Sequence, residues 1–173
     1  MPQIMPTVNS SSLLSQLSKN IDHIAIAVND LEKSIDFYQN VLGFTLFERR
    51  ETVGKKTAMS SAVMRSGCIT FVLLQGRNPD SQVSKYIEQY GSGVQHIAIE
   101  VQSLVDVSED LKQRGVEFCT DIICSPGMKQ IFSKRDPISG IMIELIEKTA
   151  AEANFTDNSV QQLFETLEEK DLF

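Results

Sequence analysis

The chain has two histidines, and each opens the same four letters, HIAI. Laying IDHIAIAVNDLEKSIDFYQNVLGF (residues 21–44) over VQHIAIEVQSLVDVSEDLKQRGVEF (94–118) matches His23 with His96, Ile24 with Ile97, Ala25 with Ala98, Ile26 with Ile99, Val28 with Val101 and Leu31 with Leu104. Self-similarity over such a stretch marks a unit built twice, so the fold must hold two equivalent halves. Each copy opens as a strand of period two. A cap follows, Asn29 with Glu32 or Ser103 with Asp106, then an apolar stripe at helical spacing (Leu31, Ile35, Tyr38, Leu42), then Gly43 or Gly115 as a stop. Further strand-like runs, TAMSSAVMRS and CITFVLLQ in the first copy and KQIFSK and GIMIELIE in the second, are separated by turns such as RDPISG. The fold class read from this is α+β, a βαβββ module at 21–75 and again at 94–147. The linker over 76–93 carries a short helix around Val83 to Tyr90. Residues 1–20, rich in Ser and Asn, read as a flexible arm with room for one helical turn. Residues 148–173 read as a tail with an amphipathic helix, since Val160, Leu163, Phe164 and Leu167 fall at i, i+3, i+4 and i+7.

Alternation along the strands decides where the histidines point. In HIAIAV the bulky Ile24, Ile26 and Val28 share the face that can pack under a helix, while His23, Ala25 and Ala27 share the other, roomier one. In the last strand Met142, Glu144 and Ile146 share a face, where an unpaired carboxylate is costly. Taken singly, each histidine reads as a core residue bonded to a carbonyl and Glu144 as a surface residue on an edge strand. Taken together, they supply the ligand set of a 2-His-1-carboxylate iron site, which leaves three coordination positions open.

Composition narrows the partner. The 23 acidic and 16 basic residues give a net charge of −7, which repels nucleic acid and anionic membrane surfaces. No run of about 18 apolar residues is present to span a membrane. A small-molecule ligand is therefore expected, with a homodimer left open. Cys68, Cys119 and Cys124 are odd in number and lack metal-site spacing, and no charged stretch followed by an apolar one opens the chain, which reads as reduced and cytoplasmic.

Residues 21–147 resemble the vicinal oxygen chelate superfamily, whose paired βαβββ modules form a cupped mixed sheet around a metal site. The resemblance implies four metal positions, on the first and last strands of each module. Three hold His23, His96 and Glu144. The fourth holds Val72, because Thr70, Val72 and Leu74 align with Met142, Glu144 and Ile146; glyoxalase I and methylmalonyl-CoA epimerase usually fill it with Glu or Gln. A narrower resemblance is to the catalytic half of 4-hydroxyphenylpyruvate dioxygenase and its sister hydroxymandelate synthase, which use His, His and Glu on Fe(II). SSAVM (60–64), SQVSKYIEQYGSGVQHIA (81–98), KQIFSK (129–134) and MIELIE (142–147) carry it. It implies Ser61, Gln95 and Gln130 as catalytic polar groups, and Ser61, Leu74, Gln82, Gln95, Gln130 and Phe132 around the substrate. ANFTDNSVQQLFETLEE resembles the family's C-terminal gating helix, with Phe155 and Val160 at the two positions that carry Phe there. Leu74 takes the place of a usual Asn, so a more apolar pocket is expected.

The activity implied is that of an Fe(II)-dependent dioxygenase acting on a 2-oxo acid with an aromatic or branched apolar side chain, with O2 as co-substrate. The acid would chelate through its carboxylate and keto oxygen, and oxidative decarboxylation would lead to hydroxylation. Two rivals stay open on the same fold. An epimerase-like or glyoxalase-like isomerase or lyase would need a fourth ligand or a positioned base. A metal-free small-molecule binding protein would not need His, His and Glu at metal positions.

Overall fold

The structure, a computed structural model, describes residues 11–149 and 157–169. Strand β1 (Ser18–Ala27) carries His23 and strand β5 (Gly93–Val101) carries His96, and the two run antiparallel at the centre of one eight-stranded sheet. The first copy adds β2 (Thr45–Val53), β3 (Ala58–Ser66) and β4 (Ile69–Gly76) on one side. The second adds β6 (Ile123–Ser125), β7 (Met128–Phe132) and β8 (Met142–Lys148) on the other, giving the order β2-β3-β4-β1-β5-β8-β7-β6. In each half the first strand pairs parallel with the last, β1 with β4 and β5 with β8, while the remaining pairs are antiparallel. The register obeys the repeat. His23 faces Ala98 and Ala25 faces His96, and Val72 pairs with Ala25 as Glu144 pairs with Ala98. Val72 and Glu144 thus occupy equivalent places in the two halves.

Helices α2 (Leu31–Asp36) and α4 (Leu104–Gln113) cover the face that the bulky β-branched residues present. Leu31 and Ile35 pack with Val28, Ala62, Met64, Leu73 and Ile26; Leu104 and Val107 pack with Val101, Ile131, Leu145 and Ile99. Each such side chain contributes roughly 1.5–3 kcal/mol on full burial, which anchors the strands that carry the histidines. Ser103 caps α4 as expected, accepting from Asp106 N. The cap of α2 is Asp30 rather than Asn29: Asp30 Oδ1 accepts from Lys33 N at 3.0 Å, and Asn29 donates instead to Ser92 Oγ at 2.8 Å. Asp30 is the residue that the repeat aligns with Ser103, so the two copies start their helices at the same step. The apolar stripe ends one turn early. A π-helical turn over Phe37–Val41 adds a residue to the helical turn, so Tyr38 still packs on Phe44 and Phe71 while Leu42 swings out to 49% exposure.

The first twenty residues do not all behave as an arm. Ser12 caps helix α1 (Leu13–Leu17), whose three leucines pack on the α4 cluster, and β1 begins at Ser18; residues 1–10 lie outside the described residues. The leucines among the serines account for the difference.

The other face of the sheet is concave and receives two helices. Helix α3 (Gln82–Tyr90), within the linker, sets Val83 and Tyr86 on Ala25, Ala27 and Leu74, where small side chains leave room. Helix α5 (Asp157–Glu169) touches both β2 and β6 and so reaches across the cup. Its Phe164 is 1% exposed, and a Cβ on Gly54 in the β2–β3 turn would stand 2.8 Å from that ring. Glu168 accepts from the N–H groups of Lys55, Lys56 and Thr57 and from the Thr57 hydroxyl, latching the helix to the same turn. Among the described residues no helix is long and apolar enough to cross a membrane.

Candidate metal centre

Both central strands bulge at the residue before the histidine. The β1–β5 register skips at Asp22 and again at Gln95, and a bulge re-aims the side chain it carries. Strict alternation would turn Asp22 and Gln95 away from the cup; instead both line the cavity beside the histidines. Asp22 Oδ1 accepts from His23 Nδ1 at 2.9 Å, and Gln95 Oε1 accepts from His96 Nδ1 at 3.0 Å. These bonds orient both rings through Nδ1 and turn each Nε2 toward the cavity.

The two Nε2 atoms lie 3.3 Å apart, and each is 3.4 Å from Glu144 Oε2. Among the described residues, these three side chains converge their donor atoms to within 4.8 Å of one another. His96 is held neutral, its pKa driven well below the ordinary value by burial and by the nearby His23 and Arg135, so the 3.4 Å contact with Glu144 is no ion pair. Burial pushes the Glu144 carboxyl well above its usual range, and Asp22 adds repulsion that Lys148 only partly offsets. Asp22 behaves oppositely: burial works against its charge, yet hydrogen bonds from His23 and Lys148 hold its pKa down at about 2.

A divalent cation fits this arrangement. Glu144 is 1% exposed and, among the described residues, its Oε1 has no hydrogen-bond partner, an expensive condition for a carboxylate. A cation placed between the two Nε2 atoms, 3.3 Å apart, would take a lone pair from each ring. Two imidazoles and one carboxylate, with the rings oriented by Asp22 and Gln95, form a set suited to Fe(II) and related transition metals.

The cavity walls divide by half. Val63, Val72 and Leu74 line it from the first half, Phe132 and Met142 from the second, and Val160, Leu163, Phe164 and Leu167 of α5 roof it. Phe132 meets the His96 ring edge-on at 5.4 Å. Of the residues expected from sequence, Ser61 lies on the wall at 8% exposure, and Leu74 and Gln95 line it too. Gln82 also lines it and donates to the Phe164 carbonyl at 3.4 Å, tying linker to roof. Gln130 is buried but does not join the cavity wall, and among the described residues neither amide atom has a hydrogen-bond partner. Phe155 lies outside the described residues. Sequence reasoning missed Asp22 and Lys148, although the repeat aligns Asp22 with Gln95. It also missed a charged group at the first-half rim, Glu48, Arg50 and Arg65, with Phe47 beside it.

Known proteins of several activities share this plan. Human mitochondrial methylmalonyl-CoA epimerase is 28% identical over 153 residues, 82% of this chain and 86% of the epimerase. The 4-hydroxyphenylpyruvate dioxygenase of Coccidioides posadasii is 32% identical over 99 residues, 52% of this chain and 25% of the dioxygenase. A 4-hydroxymandelate synthase mutant from Streptomyces coelicolor superposes with a TM-score of 0.78 at 21% identity, covering 90% of this chain and 55% of the synthase. The chain thus spans about half of the synthase and a quarter of the dioxygenase. A profile of the Glyoxalase/Bleomycin resistance protein/Dioxygenase superfamily matches residues 20–145, and with the cupped double-module sheet this shows that the chain belongs to that superfamily.

Proposed function

We propose that the protein is an Fe(II)-dependent dioxygenase of the cytoplasm that acts on a 2-oxo acid whose chain is apolar next to the metal. The observation that carries this reading is the inequality of two equivalent positions. Glu144 supplies a donor, and its counterpart Val72 cannot. The site therefore offers three protein donors rather than four, a set that leaves room for a bidentate 2-oxo acid and for O2. Bound Fe(II) supplies the activation of O2 that no side chain can.

The chain's own residues do the rest. His23, His96 and Glu144 hold the metal, and Asp22 and Gln95 keep the two rings turned toward it. Val72, Leu74 and Phe132 pack the substrate's carbon chain and exclude water, and α5 roofs the site so that reactive species are shielded. Ser61 and Gln82 offer hydrogen bonds to polar substrate groups. The balance is that of an oxidative decarboxylation: the acid's carboxyl carbon leaves as CO2, one oxygen atom of O2 enters the new carboxylate, and the other becomes a hydroxyl on the side chain. All four electrons come from the substrate.

The near full-length match to methylmalonyl-CoA epimerase favours a second reading, a metal-dependent isomerase that consumes no O2. The test is anaerobic loading with Fe(II), followed by O2-electrode and CO2 measurements with 2-oxo acids bearing phenyl and branched aliphatic side chains. Uptake of O2 matched by CO2 is the expected result. Iron-loaded protein that consumes no O2 with any such acid, yet exchanges the α-hydrogen of a methylmalonyl thioester with solvent, overturns the dioxygenase reading in favour of the isomerase.

A further inference from the structure

Three cations line the cavity, and two of them are matched within it. Lys148 is bonded to Asp22, and Arg50 to Glu48. Arg65 lines the same cavity, and among the described residues its side chain meets an aromatic face: the guanidinium carbon lies 3.6 Å over the centroid of the Phe47 ring. Phe47 is placed there by a bulge, since the β2–β3 register skips between Leu46 and Glu48 and both Phe47 and Glu48 then line the cavity. A guanidinium stacked flat on a ring keeps its N–H edge available, and that edge matches an oxyanion in a bidentate fork.

The register gives the distance from the metal centre. Arg65 pairs with Thr70 on β4, and β4 pairs in parallel with β1, Phe71 facing Ile24. The next step along each strand sets Thr70 level with His23. Arg65 thus stands in the same cross-strand row as His23, two strands away, or about 10 Å at roughly 4.8 Å per strand. The floor between them is Thr70 with Val63 and Val72 alongside, and all three line the cavity. The pocket runs from the candidate metal centre, over a largely apolar floor, to an arginine that no carboxylate pairs among the described residues.

We propose that Arg65 receives a second, terminal oxyanion of the substrate, so that the acid bound at the metal is a dianion with an apolar middle. This rests on the 2-oxo acid reading for the metal end only. The terminal group is a carboxylate or a phosphate, both of which fit the guanidinium fork.

The test is calorimetric binding to the metal-loaded protein without O2, comparing 2-oxoadipate with 2-oxohexanoate, which has the same number of carbons and a methyl end. A third probe, 5-phosphono-2-oxopentanoate, ranks phosphate against carboxylate. The dianions are expected to bind about tenfold or more tighter than 2-oxohexanoate, and Arg65→Met should remove that preference while leaving 2-oxohexanoate within about twofold. Phe47→Ala, which removes the stacking platform, should reduce the preference in part. Equal affinities in the unaltered protein, a preference unchanged in Arg65→Met, or no binding of any of the three acids overturns the proposal. If the preference exists and Arg65→Met removes it, but stripping the metal changes no affinity, the chelation reading fails while the assignment of Arg65 stands.

Discussion

The two halves of the sheet follow one backbone plan and diverge in what they place on it. At equivalent positions the first half has Val72 and Asp22, the second Glu144 and Gln95. The wall of the second half is sealed, with Phe132, Met142 and Cys119 packed against Leu163 and Leu167 of α5. The rim of the first half is charged, with Arg50, Glu48 and Arg65 along it. Duplication accounts for the geometry, two strands and two bulges related across a seam, while the chemistry lies in the departures from symmetry. A fully symmetric version would carry either no carboxylate or two at the metal positions.

Restoring symmetry is the most disruptive test. Val72→Glu adds a fourth donor opposite Glu144, so Fe(II) should be retained at least as well as in the unaltered protein while O2 uptake with 2-oxo acids disappears; metal analysis and an oxygen electrode read the two quantities separately. Oxygenase turnover that survives in this variant would break the argument from the unequal halves. Glu144→Ala equalises them the other way. Loss of an oriented neighbour alone costs about 10–100-fold in metal affinity, so loss of this ligand should exceed that, with a circular dichroism spectrum that stays native.

Next in size is the roof. Phe164→Ala empties a fully buried site against Gly54 and should lower stability by about 3–5 kcal/mol if α5 folds cooperatively with the sheet. A loss well under that range, read by denaturant titration, would mean that the helix docks independently of both halves. Asp22→Asn keeps the hydrogen bond to His23 but removes the charge that the second half lacks at Gln95, and should weaken metal binding by about 10–100-fold. Gln95→Glu, its mirror image, should strengthen binding if the asymmetry tunes the metal.

The smallest effect concerns the Glu168 latch. Burial opposes its charge, but hydrogen bonds from Thr57, Lys56 and Lys55 hold its pKa below the ordinary Glu value. A depressed folded pKa means that the latch is at full strength above the ordinary value of about 4.3 and weakens as pH falls below it. Amide exchange in α5, corrected for its intrinsic pH dependence, should therefore rise on acidification below that value. Glu168→Gln should exchange faster at neutral pH and lose the acid step.

Much of this arrangement is legible in the letters. HIAI written twice marks β1 and β5, and alternation along those strands and in MIELIE turns His23, His96 and Glu144 toward one cavity. What escaped are features set by one-residue shifts. Asp22 reaches His23 only because a bulge breaks the alternation, the π-helical turn carries Leu42 out of its stripe, and the α2 cap moves from Asn29 to Asp30. Strands β2 and β6 gave no clear alternation of their own: β2 is half charged, with Glu48, Arg49, Arg50 and Glu51 in succession, and β6 is three residues long. Nothing in the sequence around Arg65 singles it out, because its neighbours along the chain say nothing of the cavity that it lines.

The antiparallel seam between β1 and β5 has a thermodynamic corollary. One of the three candidate ligands comes from the first half and two from the second, so an ion held there would act as a removable rivet between two duplicated pieces. Any metal that binds the native state alone adds stability by mass action, about 2.7 kcal/mol when the free ion is at a hundred times its dissociation constant. That increment acts at the join, so occupancy would decide whether the halves unfold as one unit or as two.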